Sequence, residues 1–312
     1  MSRSQNEVAK RSRGFGPCWL TLAFAAPVAL MAGCQSVPTD QLKAFSDSLT
    51  AVQEVDKPIF ADLAQAEFKG AVARPDACRD QVTIPVPGGP AVRDGFCLKD
   101  VGATASIVDP PDTTVFKAGM NALQVYTGTL NTLASGASAS DTAAQLQSAA
   151  GNLLGIASTL RLIGSAVAPA ISGAIGALAP LVTQVSQQLS KTEAVRLILS
   201  GDQHVHALIA AERAAVPDIW LAITWDWRRQ LRHVDPRDTQ TGATLRGKIE
   251  TYRTIMSNYI IMLDRLDTAW TKTVKATNDP QPATLADLVT LSGQLKSDSD
   301  TLAKAHAFLR SY

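Results

Sequence analysis

Helical periodicity in the last third of the chain is the strongest constraint on its fold. Eight apolar residues follow one another at alternating spacings of four and three: Leu245, Ile249, Tyr252, Met256, Tyr259, Leu263, Leu266 and Trp270. This 3.5-residue repeat places all eight side chains along one face of an α-helix and is typical of coiled coils and helical bundles. Other helices must cover such a face, so the pattern predicts a packed bundle.

The same kind of apolar stripe recurs elsewhere in the chain. Residues 42–63 and 116–133 predict two further helices, the first with a kink at Pro58. The last segment carries leucines seven residues apart, Leu288, Leu295, Leu302 and Leu309. We therefore predict an all-α fold, an elongated multi-helix bundle with coiled-coil-like packing. Residues 112–312 are expected to form one domain with a first helix that lies within 34–73.

The amino-terminal segment has the composition of a secretory signal peptide. Its first thirteen residues include four basic side chains, and the range 18–32 contains no charged residue. Ala32 and Gly33 then supply the small residues that precede a cleavage site. The apolar part is too short to span a bilayer comfortably as a permanent helix.

The residues that close this segment, Leu30-Met31-Ala32-Gly33-Cys34, resemble the lipobox of bacterial lipoproteins. That motif is usually a Leu, two small residues and Cys; here Met31 stands where Leu is commonest. The resemblance implies that residues 1–33 are removed and that Cys34 carries fatty acyl chains such as palmitate. Two or more chains anchor a protein stably to a membrane. An ordinary cleaved signal peptide is the alternative.

The residue after the cysteine is Gln35, which resembles the default outer-membrane pattern of enterobacterial lipoproteins. The resemblance therefore implies a lipid-anchored protein of the bacterial cell envelope, at the outer membrane and facing the periplasm. Removal of residues 1–33 takes four of 29 basic and one of 28 acidic residues, which leaves a net charge near −2. This charge excludes a general electrostatic attraction to nucleic acid.

Two further cysteines, Cys78 and Cys97, lie in a segment rich in proline and glycine at 74–111. If Cys34 is lipidated, these two form a disulfide in an oxidising compartment. The bridge would close a loop of about twenty residues and stabilise the fold by roughly 3 kcal/mol. We predict an irregular loop or a short hairpin stapled at its base. A zinc site is the weaker interpretation, because no histidine lies nearby.

A long stretch at 142–190 contains a single charged residue, Arg161. Its length permits a membrane crossing, but Pro169 and Pro180 interrupt it and its many Ala and Gly residues favour insertion only weakly. The four-three spacing continues through it at Ile171, Ile175, Leu178 and Val182. We predict a buried helix or hairpin. Insertion of 151–183 into a membrane is the alternative, a layout similar in outline to helical pore-forming toxins.

Residues 219–233 combine indole rings with guanidinium groups, at Trp220, Trp225, Trp227, Arg228, Arg229 and Arg232. Three interpretations stay open. The segment rests on phospholipid head groups, it contacts a protein partner, or its tryptophans are core residues beside solvated arginines.

Candidate metal and catalytic groups are sparse. Asp202 and His206 lie four residues apart near His204, but no third ligand falls at a helical spacing, so we expect a solvated helix start and no metal. Asp264 and Asp267 are expected on a solvated face with local ion pairs. No nucleophile motif or phosphate loop is present. We predict no cofactor and no enzymatic activity.

The predicted role is binding, scaffolding or envelope assembly. The predicted contacts are membrane lipid through the acyl anchor and a protein partner in the envelope. A homo-oligomer is compatible with the sequence, whereas nucleic acid is not an expected partner.

Overall fold

The computed structural model describes residues 38–73, 82–84, 92–94, 108–135, 139–160, 167–185, 190–279 and 282–310. This part of the chain contains seven helices and one two-stranded hairpin, and the fold is an all-α bundle. The elements are α1 (Thr39–Ala73), β1 (Val82–Ile84), β2 (Val92–Asp94), α2 (Pro111–Ser135), α3 (Ala139–Leu160), α4 (Ala168–Val185), α5 (Lys191–His233), α6 (Thr239–Asn278) and α7 (Pro282–Arg310).

Helix α1 is central to the bundle. It packs against α2, α5, α6 and α7, while α3 and α4 form a pair that packs against α2, and α4 also packs against α5. Residues Gln35–Tyr312 form one compact unit. The largest fully buried side chains include Trp270, Tyr126, Tyr252 and Tyr259, so aromatic rings fill the middle of the core.

The predicted apolar stripes are confirmed as core. All eight stripe residues of α6 and all four heptad leucines of α7 are buried. Each fully buried side chain of this size contributes about 1.5–3 kcal/mol relative to its exposed state. Burial of these stripes is therefore what holds α6 and α7 in the bundle.

Side-chain caps fix the start of the two longest helices. The Ser190 hydroxyl accepts a hydrogen bond from the Glu193 amide at 3.2 Å, which begins α5. The Asp238 carboxylate accepts from the Thr241 amide at 3.0 Å, which begins α6. Such caps satisfy amides that have no partner within the first helical turn. By contrast, Pro58 lies inside α1 and does not end it.

The sequence predicts an irregular loop or a short hairpin for the segment between α1 and α2. It contains a short antiparallel hairpin. Val82 pairs with Asp94, Thr83 with Arg93 and Ile84 with Val92. Cys78 and Cys97 lie outside the described residues, so their disulfide stays a prediction. Residues 1–34 also lie outside the described residues, so the signal peptide and the lipidation of Cys34 stay predictions.

Candidate functional site

A surface cleft of about 470 Å³ lies where the carboxyl-terminal parts of α1, α5 and α7 meet the beginning of α6. We call it the tryptophan cleft. It is lined by Asp62, Gln65, Ala66 and Lys69 of α1, by Ala222, Ile223, Trp225, Asp226 and Trp227 of α5, by Lys248 of α6, and by Leu309 and Arg310 of α7. Its volume lies within the range of small-molecule sites in proteins.

Asp62 is the most heavily bonded charge of the tryptophan cleft. Its carboxylate accepts from the Tyr252 hydroxyl at 3.2 Å and from Arg310 Nη2 at 3.1 Å, and it lies 2.6 Å from His306 Nε2. Partial burial opposes the charged form, but the hydrogen bonds and positive charges of His306 and Arg310 outweigh it and lower the pKa of Asp62. His306 is itself 5 % exposed, so it occupies a core position.

The tryptophans of residues 219–233 divide between core and surface. Trp225 is 41 % exposed in the cleft, whereas Trp227 packs on the core with its ring 6.0 Å from that of Tyr252. Trp220 also packs on the core and does not line the cleft. Trp220 and Trp227 are thus partly buried against the core, and Trp225 is the exposed indole of the three.

The arginines of this segment lie over the indole rings. Arg228 lies 5.4 Å from the centre of the Trp220 ring, and Arg229 lies 4.9 Å from that of Trp225. Arg229 also forms an ion pair with Asp226 at 3.0 Å. Arg232 is exposed. Cation–π attraction from Arg229 therefore helps to hold the exposed ring of Trp225 in place.

Three acidic or phenolic groups meet inside the core, and sequence reasoning missed two of them. Asp56 of α1, Glu212 of α5 and Tyr259 of α6 are 3 %, 1 % and 1 % exposed. Both Asp56 oxygens, Glu212 Oε1 and the Tyr259 hydroxyl have no hydrogen-bond partner among the described residues. We call this group the buried acid cluster. Gly119 of α2 makes room for it, since a Cβ at that position would lie 2.0 Å from Glu212 Oε1.

Burial dominates the electrostatics of the buried acid cluster. It raises the pKa of Asp56 to about 7, and the Tyr259 hydroxyl, which is close but outside hydrogen-bond geometry, lowers that value in part. Burial and the charge of Asp56 raise the pKa of Glu212 well above its usual range. The pKa of Tyr259 is raised by burial and by both carboxylates. A low-dielectric site favours the uncharged form of each group.

The sequence contains a signal for this cluster. Leu42, Phe45, Leu49, Val52, Asp56, Ile59 and Leu63 are spaced alternately three and four apart, so Asp56 lies within the apolar stripe of α1. Glu212 lies in the same way between Leu208 and Ala215. An acid at a stripe position predicts a buried carboxyl.

The expectation of a solvated helix start at Asp202 and His206 is wrong. The α5 helix begins at Lys191, and His206 lies between two carboxylates, with Nδ1 2.5 Å from Asp267 and Nε2 3.2 Å from Asp202. Asp202 also accepts from the indole of Trp270 at 3.0 Å. These bonds tie α5 to α6.

Asp264 likewise pairs with the other helix, through Arg213 of α5 at 2.6 Å, and not with a local partner. Within the described part of the chain, no three His, Cys, Asp or Glu side chains are arranged to hold a metal ion.

The apolar segment forms part of the core. Ile171, Ile175, Leu178 and Val182 of α4 are all 0 % exposed, as the buried-helix prediction requires. Their burial disfavours the membrane-inserting alternative, because the bundle must open before they reach lipid. Among the helices that the structure describes, none has both the length and the apolar character to cross a bilayer.

The hydrogen bonds made by histidine rings in the described residues go to carboxylates, at His206 and His306. This geometry fits ion pairs that join helices. It does not place an imidazole against a Ser, Thr or Cys nucleophile, which is the arrangement that activates one. No protein-family model, curated protein or solved structure matches this chain.

Proposed function

We propose that this protein is a lipid-anchored, non-catalytic binding component of the bacterial cell envelope. In this proposal the tryptophan cleft is its recognition site for a protein partner. The observation that carries the proposal is a cleft in which an exposed indole, Trp225, lies beside lysine and arginine side chains. Trp and Arg are over-represented among the residues that dominate binding energy at protein interfaces.

The position of the cleft along α1 supports this role. Cys34 precedes the first described residue, Pro38, by four positions, and four residues reach at most about 14 Å. The cleft begins at Asp62, which lies about 35 Å along the helix axis from Thr39. An anchor at Cys34 therefore attaches the chain at one end of α1 and leaves the cleft towards the other.

Anchoring also explains why a cleft with few binding contacts could hold its partner. A protein held in a thin layer at the membrane meets an envelope partner at a raised effective concentration. A cleft of this size does not need high intrinsic affinity under those conditions. The anchor and the cleft thus act together, the first setting location and the second setting choice of partner.

Site-specific photo-cross-linking in cells tests the proposal. A photo-reactive amino acid replaces Gln65 in the cleft, and a matched control replaces Lys43, which is exposed on the same helix about 33 Å away. We expect a discrete protein adduct from position 65 and none of the same mass from position 43. Equal adducts from both positions, or none from position 65, would contradict a recognition site at the cleft.

The anchor is tested separately by Cys34→Ser. The variant is expected to lose processing and membrane attachment. If it still sediments with membranes at its usual processed size, the envelope assignment is wrong.

A further inference from the structure

The charges that line the tryptophan cleft are unequally compensated. Asp62 is paired with Arg310 and His306, and Asp226 is paired with Arg229. Lys69 and Lys248 also line the cleft, and neither has a carboxylate partner among the described residues. The internal pairs account for both acids, so the cleft is left with two unpaired positive charges.

These two lysines come from different helices. Lys69 is exposed on α1, and Lys248 is half-buried on α6. On α1, Gln65, Ala66 and Lys69 follow Asp62 by three, four and seven positions, so the four residues share one face of the helix. The cleft therefore has a paired acid at one position of this face and an unpaired lysine two turns further along.

The apolar surface of the cleft is local and partly open to water. Trp225 is 41 % exposed, and the other apolar lining residues Ile223 and Leu309 are buried. A long acyl chain needs an enclosed apolar cavity, because any part left outside remains in water. One or two large apolar side chains of a peptide match the available surface better, and the rim of Gln65 and Asp226 offers hydrogen-bonding groups to a peptide backbone.

We infer that the tryptophan cleft binds a peptide segment of the partner in which an acidic side chain adjoins a large apolar one. The acid pairs with Lys69 and Lys248, and the apolar side chain packs on Trp225. This inference rests on the proposed function, since it names the chemistry of the partner at the same site.

The test uses the anchored protein in cells, with the photo-reactive residue at position 65. Mass spectrometry maps the adduct on the partner, and the mapped segment is expected to contain an Asp or Glu next to an apolar residue. The Lys69→Glu/Lys248→Glu variant is expected to reduce the adduct about tenfold, because both charge pairs become repulsive. The matched control, Lys43→Glu/Lys296→Glu, changes the same net charge at exposed sites outside the cleft lining and is expected to leave the yield unchanged.

Reversing the charge on the partner tests directly whether its acidic side chain pairs with the two lysines. Replacing the mapped acid by lysine is expected to abolish the adduct with the unmodified cleft and to restore it with Lys69→Glu/Lys248→Glu. The adduct is also expected to weaken in isolated membranes as NaCl rises from about 0.05 to 0.5 M, where screening shortens the reach of surface charges.

The outcomes separate the two proposals. Absence of any adduct at position 65 contradicts the proposed function itself. An adduct that persists in the double glutamate variant, or that maps to a basic segment or to a second copy of this chain, overturns the acidic-peptide inference and leaves the cleft as a protein-binding site of other chemistry. An adduct that maps to a lipid overturns both proposals.

Discussion

Asp56→Asn is expected to stabilise the protein strongly at neutral pH and not at acid pH. Asp56 is completely buried in the acid cluster, and its pKa is about 7 in the folded state against 3.8 for an ordinary Asp. Below about pH 4 the group is protonated in both the folded and the unfolded chain. Between pH 4 and 7 only the unfolded chain releases the proton, so ionisation progressively favours unfolding.

The magnitude follows from the separation of the two pKa values. One pKa unit corresponds to about 1.4 kcal/mol, so the native state loses about 4 kcal/mol relative to the unfolded state between pH 4 and 7. That loss is a large share of the 5–15 kcal/mol typical of a folded domain. Asparagine at this position cannot ionise and escapes it. The unpaired amide adds an offset that does not depend on pH.

Urea unfolding of the variant and the wild type at pH 4, 5, 6, 7 and 8 measures this effect. The difference in unfolding free energy is expected to grow by about 4 kcal/mol from pH 4 to 7 and then to level off. Asp47→Asn is the matched control, an exposed position on the same helix, and its difference should stay nearly flat. A change of less than about 1 kcal/mol for Asp56→Asn across this range would refute the assignment of a carboxyl held neutral by burial.

Two further predictions, one with its own control, are tested by the same unfolding assay. Gly119→Ala is expected to lower stability by about 1–3 kcal/mol, since its Cβ would lie 2.0 Å from Glu212 Oε1, whereas Gly128→Ala, with open space around the added carbon, should raise it by about 0.5–1 kcal/mol. Asp62→Asn should lower stability by about 1–3 kcal/mol at pH 7 by weakening its bond to His306. Because the pKa of Asp62 is lower in the folded than in the unfolded chain, its ionisation stabilises the fold at pH values above the unfolded-state pKa. The deficit of the variant should therefore shrink as the pH falls below about 4.

The helices and most of the core were predictable because one helix face is encoded locally. The stripe from Leu245 to Trp270 identifies the buried side of α6 without reference to any other helix. The same holds for Ile171 to Val182 in α4, where spacing and not overall hydropathy separated a core helix from a membrane helix. Periodicity is a property of a single segment, so a single sequence is enough to reveal it.

The polar partners were not predictable because they join distant parts of the chain. His306 lies in the stripe of α7, but its burial makes sense only beside Asp62, 244 positions earlier. His206 similarly pairs with Asp267 of the next helix, 61 positions later. Which stripes face one another depends on how the helices pair, and no local pattern encodes that pairing. Asp56 and Glu212 were detectable as stripe residues, but their proximity to each other was not.

These distant pairs supply information that the apolar stripes lack. The four buried leucines of α7 repeat every seven residues, so a slip of one heptad along α1, about 10.5 Å, leaves leucine facing the core at three of the four levels. The same slip moves Ser299 to the level of His306 and leaves Asp62 without its imidazole partner. Asp62 then keeps its bond from the Tyr252 hydroxyl of α6 but loses the bond to His306. A hydrogen bond to a charged group contributes about 1.5–3 kcal/mol, which is enough to favour one register over the other.

Replacing His306 by Leu tests whether this pair sets the register. The variant is expected to stay helical while populating two registers of α7. Spin labels at Lys43 and Lys296, both exposed, should then report two distances in place of one, separated by as much as about 10 Å. A single narrow distribution identical to that of the wild type would show that packing alone fixes the register. The buried acid cluster has no such pairing to lose among the described residues, so register does not explain why Asp56 and Glu212 are buried, and their effect on stability must be measured through pH.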